Sequence, residues 1–325
     1  MGAMNFRNRS LFTNISELSL VAIIAAIALQ VGQSSAGQPA VNLGGAARFA
    51  VLAGSEITSV PTSAIKGDVG LSPAARSKIA GLTPVEVTGG IFAADDGGAT
   101  AVMLTQAQGD LTTAYNDAAG RSLGAVDVAN ADLGGRTLPP GLYKSTGTLN
   151  VTGNVTLDAQ GDPNAIYIFQ VASVLTTAAA SQVILSGGTK AGNVFWQVGT
   201  SASFGTTTAF KGIIMADQSI AFATGARLDG RALARIGAVT LDSNSINIPP
   251  QGSIAPEFGL TTRSASDSVT LIITNTPGLL LTVQTSVNLT DWTTLTTKTF
   301  TASPGTLIDT SATAEQKRFY RAYHP

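Results

Sequence analysis

Apolar residues recur between about residues 146 and 246 in short alternating runs, each leading into a Thr or Ser and a small residue. The phrases are LNVTGNVTL (149–157), LTTAAASQVIL (175–185), FGTTTAFKGII (204–214), FATGARLDG (222–230) and LDSNSINI (241–248). Apolar/polar alternation predicts half-buried strands. Their self-similarity predicts a stack of coils, because a coil of this size cannot bury its apolar side alone and must cover it with its neighbours. The corner position of the phrase is occupied by Thr152, Thr177, Thr206, Thr224 and Ser243, and stacking is expected to set these small hydroxylated residues in a column that carries the function. Thr206 to Thr224 is 18 residues and Thr224 to Ser243 is 19, lengths that three short strands and three tight turns fill, so each coil is expected to be triangular. The earlier intervals, 25 from Thr152 to Thr177 and 29 from Thr177 to Thr206, are longer, and a loop at 158–164 absorbs part of the surplus.

Upstream, 49–53 and 57–58 read as short strands and 64–71 as a third, punctuated by Gly54, Pro61, Gly67 and Pro73. One helix follows. Leu104, Ala107, Gln108, Leu111, Ala114, Tyr115 and Ala118 fall at helical spacing on one side, with Asp95 or Asp96 as the expected cap and Gly120 as the stop. The narrow Ala-rich stripe suits packing along a wall of strands. After 249–253 the composition turns Thr-rich with period-two alternation, and 271–273, 280–285, 292–295 and 318–322 read as strands of a small antiparallel β-sandwich. Three segments result: 1–36, 37–250 and 254–325.

Residues 1–36 have the layout of a secretory signal, with Arg7 and Arg9 ahead of the apolar run 18–29 and small residues at 34–36, so export is expected, with no membrane attachment once the signal is removed. The chain contains no cysteine, and an exported fold of this kind relies on burial and hydrogen bonds without covalent staples. Charged residues are only 12% and the formal net charge is -1, which removes the basic surface that nucleic acid demands. The single histidine, His324, lies at the end of the chain, so histidine triads and His/Cys zinc sites are excluded. Arg227, Asp229, Arg231, Arg235 and Asp242 form the one dense charge cluster and read as surface or end-of-coil ion pairs rather than a catalytic groove. No enzyme activity, cofactor or metal is expected.

The phrases at 43–54 (LGGAARFAVLAG), 66–70 (KGDVG), 107–115 (AQGDLTTAY), 157–165 (LDAQGDPNA), 193–199 (NVFWQVG) and 230–235 (GRALAR) are similar to the microbial ice-binding protein family, in order from about residue 42 to 247. The resemblance implies a mainly β fold: a right-handed three-sided β-solenoid with one long helix along its axis, discontinuous because its N-terminal coil is completed by a C-terminal segment. It also implies adsorption to an ice crystal surface through a flat solenoid face, with inhibition of recrystallisation and depression of the freezing point. Some members carry on that face a Thr, then Gly or Ala, then any residue, then Thr or Asn. The first two positions match at Thr152-Gly153, Thr177-Ala178 and Thr224-Gly225, Thr206-Thr207 departs at the second, and Val155, Ala180, Ala209 and Arg227 depart at the fourth.

Strands stacked about 4.8 Å apart, with alternate residues roughly 6.5 to 7 Å apart along each strand, form a two-dimensional grid. A Thr at a grid point offers a methyl group and a hydroxyl, and its β-branch leaves few rotamers to freeze out. Each contact gains about 1 kcal/mol or less, so many must act together. The expected ice-binding set is Thr58, Thr148, Asn150, Thr152, Thr176, Thr177, Ser203, Thr206, Ala221, Ala223, Thr224, Thr240 and Ser243. The alternative reading is a carbohydrate-binding adhesin, which wants exposed aromatic rings. Tyr143, Tyr167 and Trp196 lie in strongly apolar runs and are expected to be buried, leaving Trp292 in the tail as the freer candidate. The tail itself reads as a module for attachment to a cell surface or matrix, or for stability.

Overall fold

The computed structural model describes residues 37–249, 257–258, 262–263, 268–274, 280–300, 305–311 and 318–323. The expected signal at 1–36, the junction at 250–256 and His324 lie outside the described residues.

The fold is mainly β with one long helix. Residues 44–248 wind past three parallel ladders in turn. One pass runs through Tyr167–Val171 on the first ladder, Leu175–Thr177 on the second and Gln182–Ser186 on the third, and the next pass through Val194–Val198 and Ala202–Phe204 repeats the order. Ala209–Ala216 begins on the third ladder, where Ala209 pairs with Gln182, and ends on the first, where Ile213 pairs with Phe195. Every strand pair within these ladders is parallel, so identical positions of successive coils lie side by side.

The first coil in sequence stacks on the last. Phe49–Ala53 pairs with Arg227–Ala234, Ile57–Val60 with Val239–Asp242, and Ala64–Lys66 with Ser245–Asn247. The chain continues outward to Asp68–Leu71 and Ile91–Ala93 and then has to reach the opposite end of the stack, where Ala125–Asp127 pairs with Gly141–Ser145. Helix α1, Gly98–Gly120, makes that crossing. Its 23 residues rise about 35 Å, against about 38 Å for the nine strands of the first ladder. The buried stripe of Leu104, Ala107, Leu111, Ala114, Tyr115 and Ala118 packs on Phe49, Leu52, Leu142, Ile168, Phe195, Ile213, Met215 and Leu233, so the outer side of the first ladder is covered. The buried Gln170 Nε2 donates to the carbonyls of Ala118 (2.7 Å), Ala119 (3.1 Å) and Arg121 (2.7 Å), which satisfies helix-end groups that would otherwise lack partners.

Two sequence expectations are corrected. The run 64–71 is two strands, because Gly67 turns the corner at φ +135° in backbone space open chiefly to glycine. Asp95 and Asp96 do not cap α1. Gly97 holds the N-cap position, while Asp95 accepts the Arg76 amide (2.6 Å) and Asp96 pairs with the Arg76 guanidinium (2.5 Å). These carboxylates are used to bind the preceding coil.

Inside the coils, aromatic rings continue the stacking. Tyr143 lies 5.2 Å from Phe169, Phe169 3.9 Å from Trp196, Trp196 4.8 Å from Phe210, Phe210 4.6 Å from Phe204, and Phe204 4.6 Å from Phe222. Trp196 also donates its indole N–H to the Lys211 carbonyl at 3.0 Å, so its polar atom is not stranded. In the tail, Val269–Thr274 pairs with Glu257–Phe258, Thr262–Arg263 and Gly305–Asp309. Leu280–Ser286 pairs with Thr293–Thr299 and Phe319–Tyr323, and all these pairs are antiparallel. Leu271, Ile273, Leu281, Val283 and Phe300 from the two sheets share one apolar cluster.

Because Trp196 sits between Phe169 and Phe210, Trp196→Ala is expected to cost about 3–5 kcal/mol of stability, measured as a lowered midpoint of urea unfolding.

Candidate functional site

The three ladders differ in what they present. The outer side of the first is covered by α1. The third carries the register row Lys211, Asp229, Asn247 and Lys66, in which Lys211 and Asp229 form an ion pair, and a second row containing Gln182 and Arg227. Its outer surface is therefore charged and bulky. The second ladder is a seven-stranded sheet, and it presents small side chains.

On that sheet the strand register sets Asn150 beside Thr176, Thr176 beside Ser203, Ser203 beside Ala221, Ala221 beside Thr240, Thr240 beside Thr58, and Thr58 beside Ala80. The flanking residues on each strand point inward: Leu149, Val151, Leu175, Ala202, Phe204, Ile220, Phe222, Val239 and Leu241 are all buried. This alternation, imposed by the apolar interior, turns the central row to solvent.

Two positions before the central row stand Thr148, Val174, Ser201, Ser219 and Ala238, tied from coil to coil by the bonds Leu149 N to Val174 O, Leu175 N to Ser201 O, Ala202 N to Ser219 O and Ile220 N to Ala238 O. Two positions after it stand Thr152, Ala178, Gly205 and Ala223. Across four coils the three rows hold no charged residue. Some hydroxyls serve the coils themselves: Ser201 Oγ accepts the Ser219 amide (3.3 Å), and Ser219 Oγ accepts the Ala238 amide (3.1 Å).

The expected site residues therefore divide. Thr58, Asn150, Thr176, Ser203, Ala221 and Thr240 share the central row, Thr148 lies in the row before it, and Thr152 and Ala223 in the row after it. Thr206 and Thr224 lie further along, at the corner toward the third ladder, where they precede Thr207 and Gly225 in left-handed conformation. Thr152 and Thr224 give their hydroxyls to carboxylates of adjacent coils, Asp132 and Asp242. Ser243 is itself the left-handed residue of its turn, at φ +52°, and its hydroxyl donates to the Pro61 carbonyl at 3.1 Å.

Thr177 is a correction. It is 4% exposed and points inward, where its hydroxyl lies 3.0 Å from that of Thr208 and accepts the Gly205 amide at 3.0 Å. Leu175 is inward, so two residues on Thr177 must be inward too. The repeating phrase aligned it with Thr152, whose place in the fold is taken by Ala178. The single column of Thr152, Thr177, Thr206, Thr224 and Ser243 is accordingly not formed. The residues that the sequence reading missed are Val174, Ala178, Ser201, Ser219 and Ala238. Ser201 to Ser219 is 18 residues and Ser219 to Ala238 is 19, the same intervals that separate the corner residues, so the coil period could have found them.

The sequence cluster of charges is dispersed. Arg235 pairs with Asp217 at 2.5 Å, Asp229 with Lys211, and Arg231 is buried with its Nε donating to the Ala47 carbonyl at 2.8 Å. Tyr143, Tyr167 and Trp196 are in the core, and the Trp292 ring is covered by the Arg321 guanidinium at 4.3 Å. Among the described residues no group of three or more His, Asp or Glu is placed to hold a metal ion.

The fold and the site define a class: mainly β proteins with one helix, whose parallel coils stack to present one small, uncharged, hydroxyl-bearing surface. Comparison gives the particular family: residues 51–247 match the Ice-binding-like family, and the chain belongs to it. The family is a non-enzymatic one. An ice-binding protein of Nostoc sp. (strain HG1) is 41% identical over 242 residues, covering 72% of this chain and 86% of the relative. One of Flavobacterium frigoris (strain PS1) is 42% identical over 215 residues, covering 64% and 76%. Among solved structures, an ice binding protein from an Antarctic biological consortium superposes with a TM-score of 0.62 at 47% identity, covering 68% of this chain and 96% of that one. A domain of an ice-binding protein of Shewanella frigidimarina gives 0.63 at 34% identity, covering 66% and 99%.

At one end of the sheet Asp132 pairs with Asn150 in a single bridge. Burial pushes the Asp132 carboxyl up, but the Thr152 hydroxyl and the amides of Gly134, Thr152 and Leu133 outweigh it and hold the group below its ordinary value. A carboxylate held low stabilises the fold above its unfolded value of about 4 and loses that contribution as pH falls through the folded value. The melting temperature is thus expected to drop on acidification below about pH 4, and Asp132→Asn to flatten part of that drop, measured by thermal unfolding between about pH 2 and 6.

Proposed function

We propose that the second ladder binds ice. The stacked coils are read as a right-handed three-sided β-solenoid, with the three uncharged rows forming a flat face that adsorbs to the crystal surface, inhibits recrystallisation and produces thermal hysteresis. The observation that carries this reading is the register of Asn150, Thr176, Ser203 and Ala221 in one outward row, flanked on each of the four coils by uncharged residues on both sides.

The physical case rests on repetition. Parallel pairing spaces the rows at about 4.8 Å in one direction and roughly 6.5 to 7 Å in the other. The backbone carries these positions, so the grid needs little ordering when it meets a crystal. Hydroxyls and methyl groups both lie on it, and neither holds water so strongly that a lattice cannot replace it. With about 1 kcal/mol or less from each contact, binding depends on many points meeting the crystal together.

The protein is read as exported through its N-terminal segment. The tail, read as a β-sandwich, is assigned attachment to a cell surface or matrix and no share in ice binding. The match to the ice-binding-like family runs over residues 51–247 and ends before the tail, which supports this division.

Ala221 lies in the central row of the face. Ala221→Tyr is expected to abolish most of the thermal hysteresis while leaving the melting temperature near the parent's; equal hysteresis in the two chains would remove this face from the function. A chain ending at residue 250 is expected to inhibit ice recrystallisation as the full chain does at equal molarity, and loss of the effect on truncation would give the tail a share in it.

A further inference from the structure

Beyond its four uncharged coils the second ladder keeps its central row but changes its borders. Thr240 and Thr58 continue the row in direct register, and Ala80 follows. The flanks do not continue. Asp242 ends the third row, where Ala223 stands one coil earlier, and Glu56 occupies the first row, in the place Ala238 holds on the adjacent coil: Val239 N bonds to Glu56 O as Ile220 N bonds to Ala238 O. We infer, resting on the ice-binding reading, that Asp242 and Glu56 set the boundary of the ice-compatible surface, and that the two coils bearing Thr240 and Thr58 are built for adsorption but withheld from it by charge.

A carboxylate gathers water around itself radially and holds it strongly, and removing or rearranging that water costs far more than doing so at a hydroxyl or methyl group. A single one at the margin therefore denies the crystal its neighbours as well. The opposite end of the sheet is different. Asp132 accepts the amides of Gly134 (2.9 Å) and Thr152 (3.1 Å) together with the Thr152 hydroxyl, so its charge is part of the end coil's structure. Asp242 accepts the Thr224 hydroxyl, a role an amide oxygen fills equally, and its own amide is held by Asn244 Oδ1 at 2.6 Å whatever its side chain. Asn in place of Asp at this point removes the charge and keeps the hydrogen bond.

The test compares full-length parent, Asp242→Asn, Glu56→Gln and the double variant by thermal hysteresis at equal molarity, with melting temperatures measured alongside. With six coils in place of four, the double variant is expected to gain about 1.5-fold in hysteresis or more, with each single variant between it and the parent. Adding Thr240→Tyr to the double variant is expected to cancel the gain, whereas in the parent it changes hysteresis little. Variants that melt like the parent but show equal or lower hysteresis overturn the assignment, as does a gain that survives Thr240→Tyr. A parent with no hysteresis at all overturns the ice-binding reading and this inference together, a result distinct from an active parent with unimproved variants.

Discussion

Parallel backbone pairing between coils is the constraint on which the rest of the structure depends. It demands that each coil place the same kind of residue at the same step, since an inward position on one strand is inward on its neighbours. The interior therefore fills with stacked rings and branched aliphatics, from Tyr143 through Phe169 and Trp196 to Phe222. The exterior becomes a set of rows whose spacing is fixed by hydrogen bonds and not by the side chains that decorate them. A surface made this way is ordered before it meets anything.

The three outer sides are allotted differently. One is given to α1, which closes the first ladder with an Ala-rich stripe and is itself anchored by Gln170. One carries charges, including the Lys211–Asp229 pair. Among the described residues no element covers the remaining side, and over four coils it carries no charge. Composition makes this possible: with only 12% charged residues there are few such groups to distribute, and none falls on the three rows of these four coils.

Much of this was legible in the chain. The coil period emerged from the recurrence of Thr206, Thr224 and Ser243, the helix from the spacing of Leu104, Leu111 and Ala118, and the central row from alternation around inward Leu175, Phe204 and Phe222. What alternation could not decide was where a corner begins. Thr177 looked like Thr152 because both precede a small residue, yet Thr177 is the third residue of its strand and satisfies its hydroxyl internally through Thr208 and Gly205. Asp95 and Asp96 looked like caps because capping is a local pattern, while their true partner, Arg76, lies 20 residues from Asp96. The errors share a cause. Contacts between coils join residues distant in sequence, and only the period hints at them.

Stacking the first coil on the last has a consequence for assembly. Phe49–Ala53 finds its partner in Arg227–Ala234, so this strand emerges from the ribosome long before the segment it must join. During synthesis it stays an open edge, an invitation to wrong pairing that only completion of the unit withdraws. Contacts of such wide sequence separation also slow folding. In return, once the circuit closes, neither extremity of the coil region can peel away without breaking pairs in the middle of the stack, and the wound ribbon acquires a fastening at the place where such ribbons ordinarily fray.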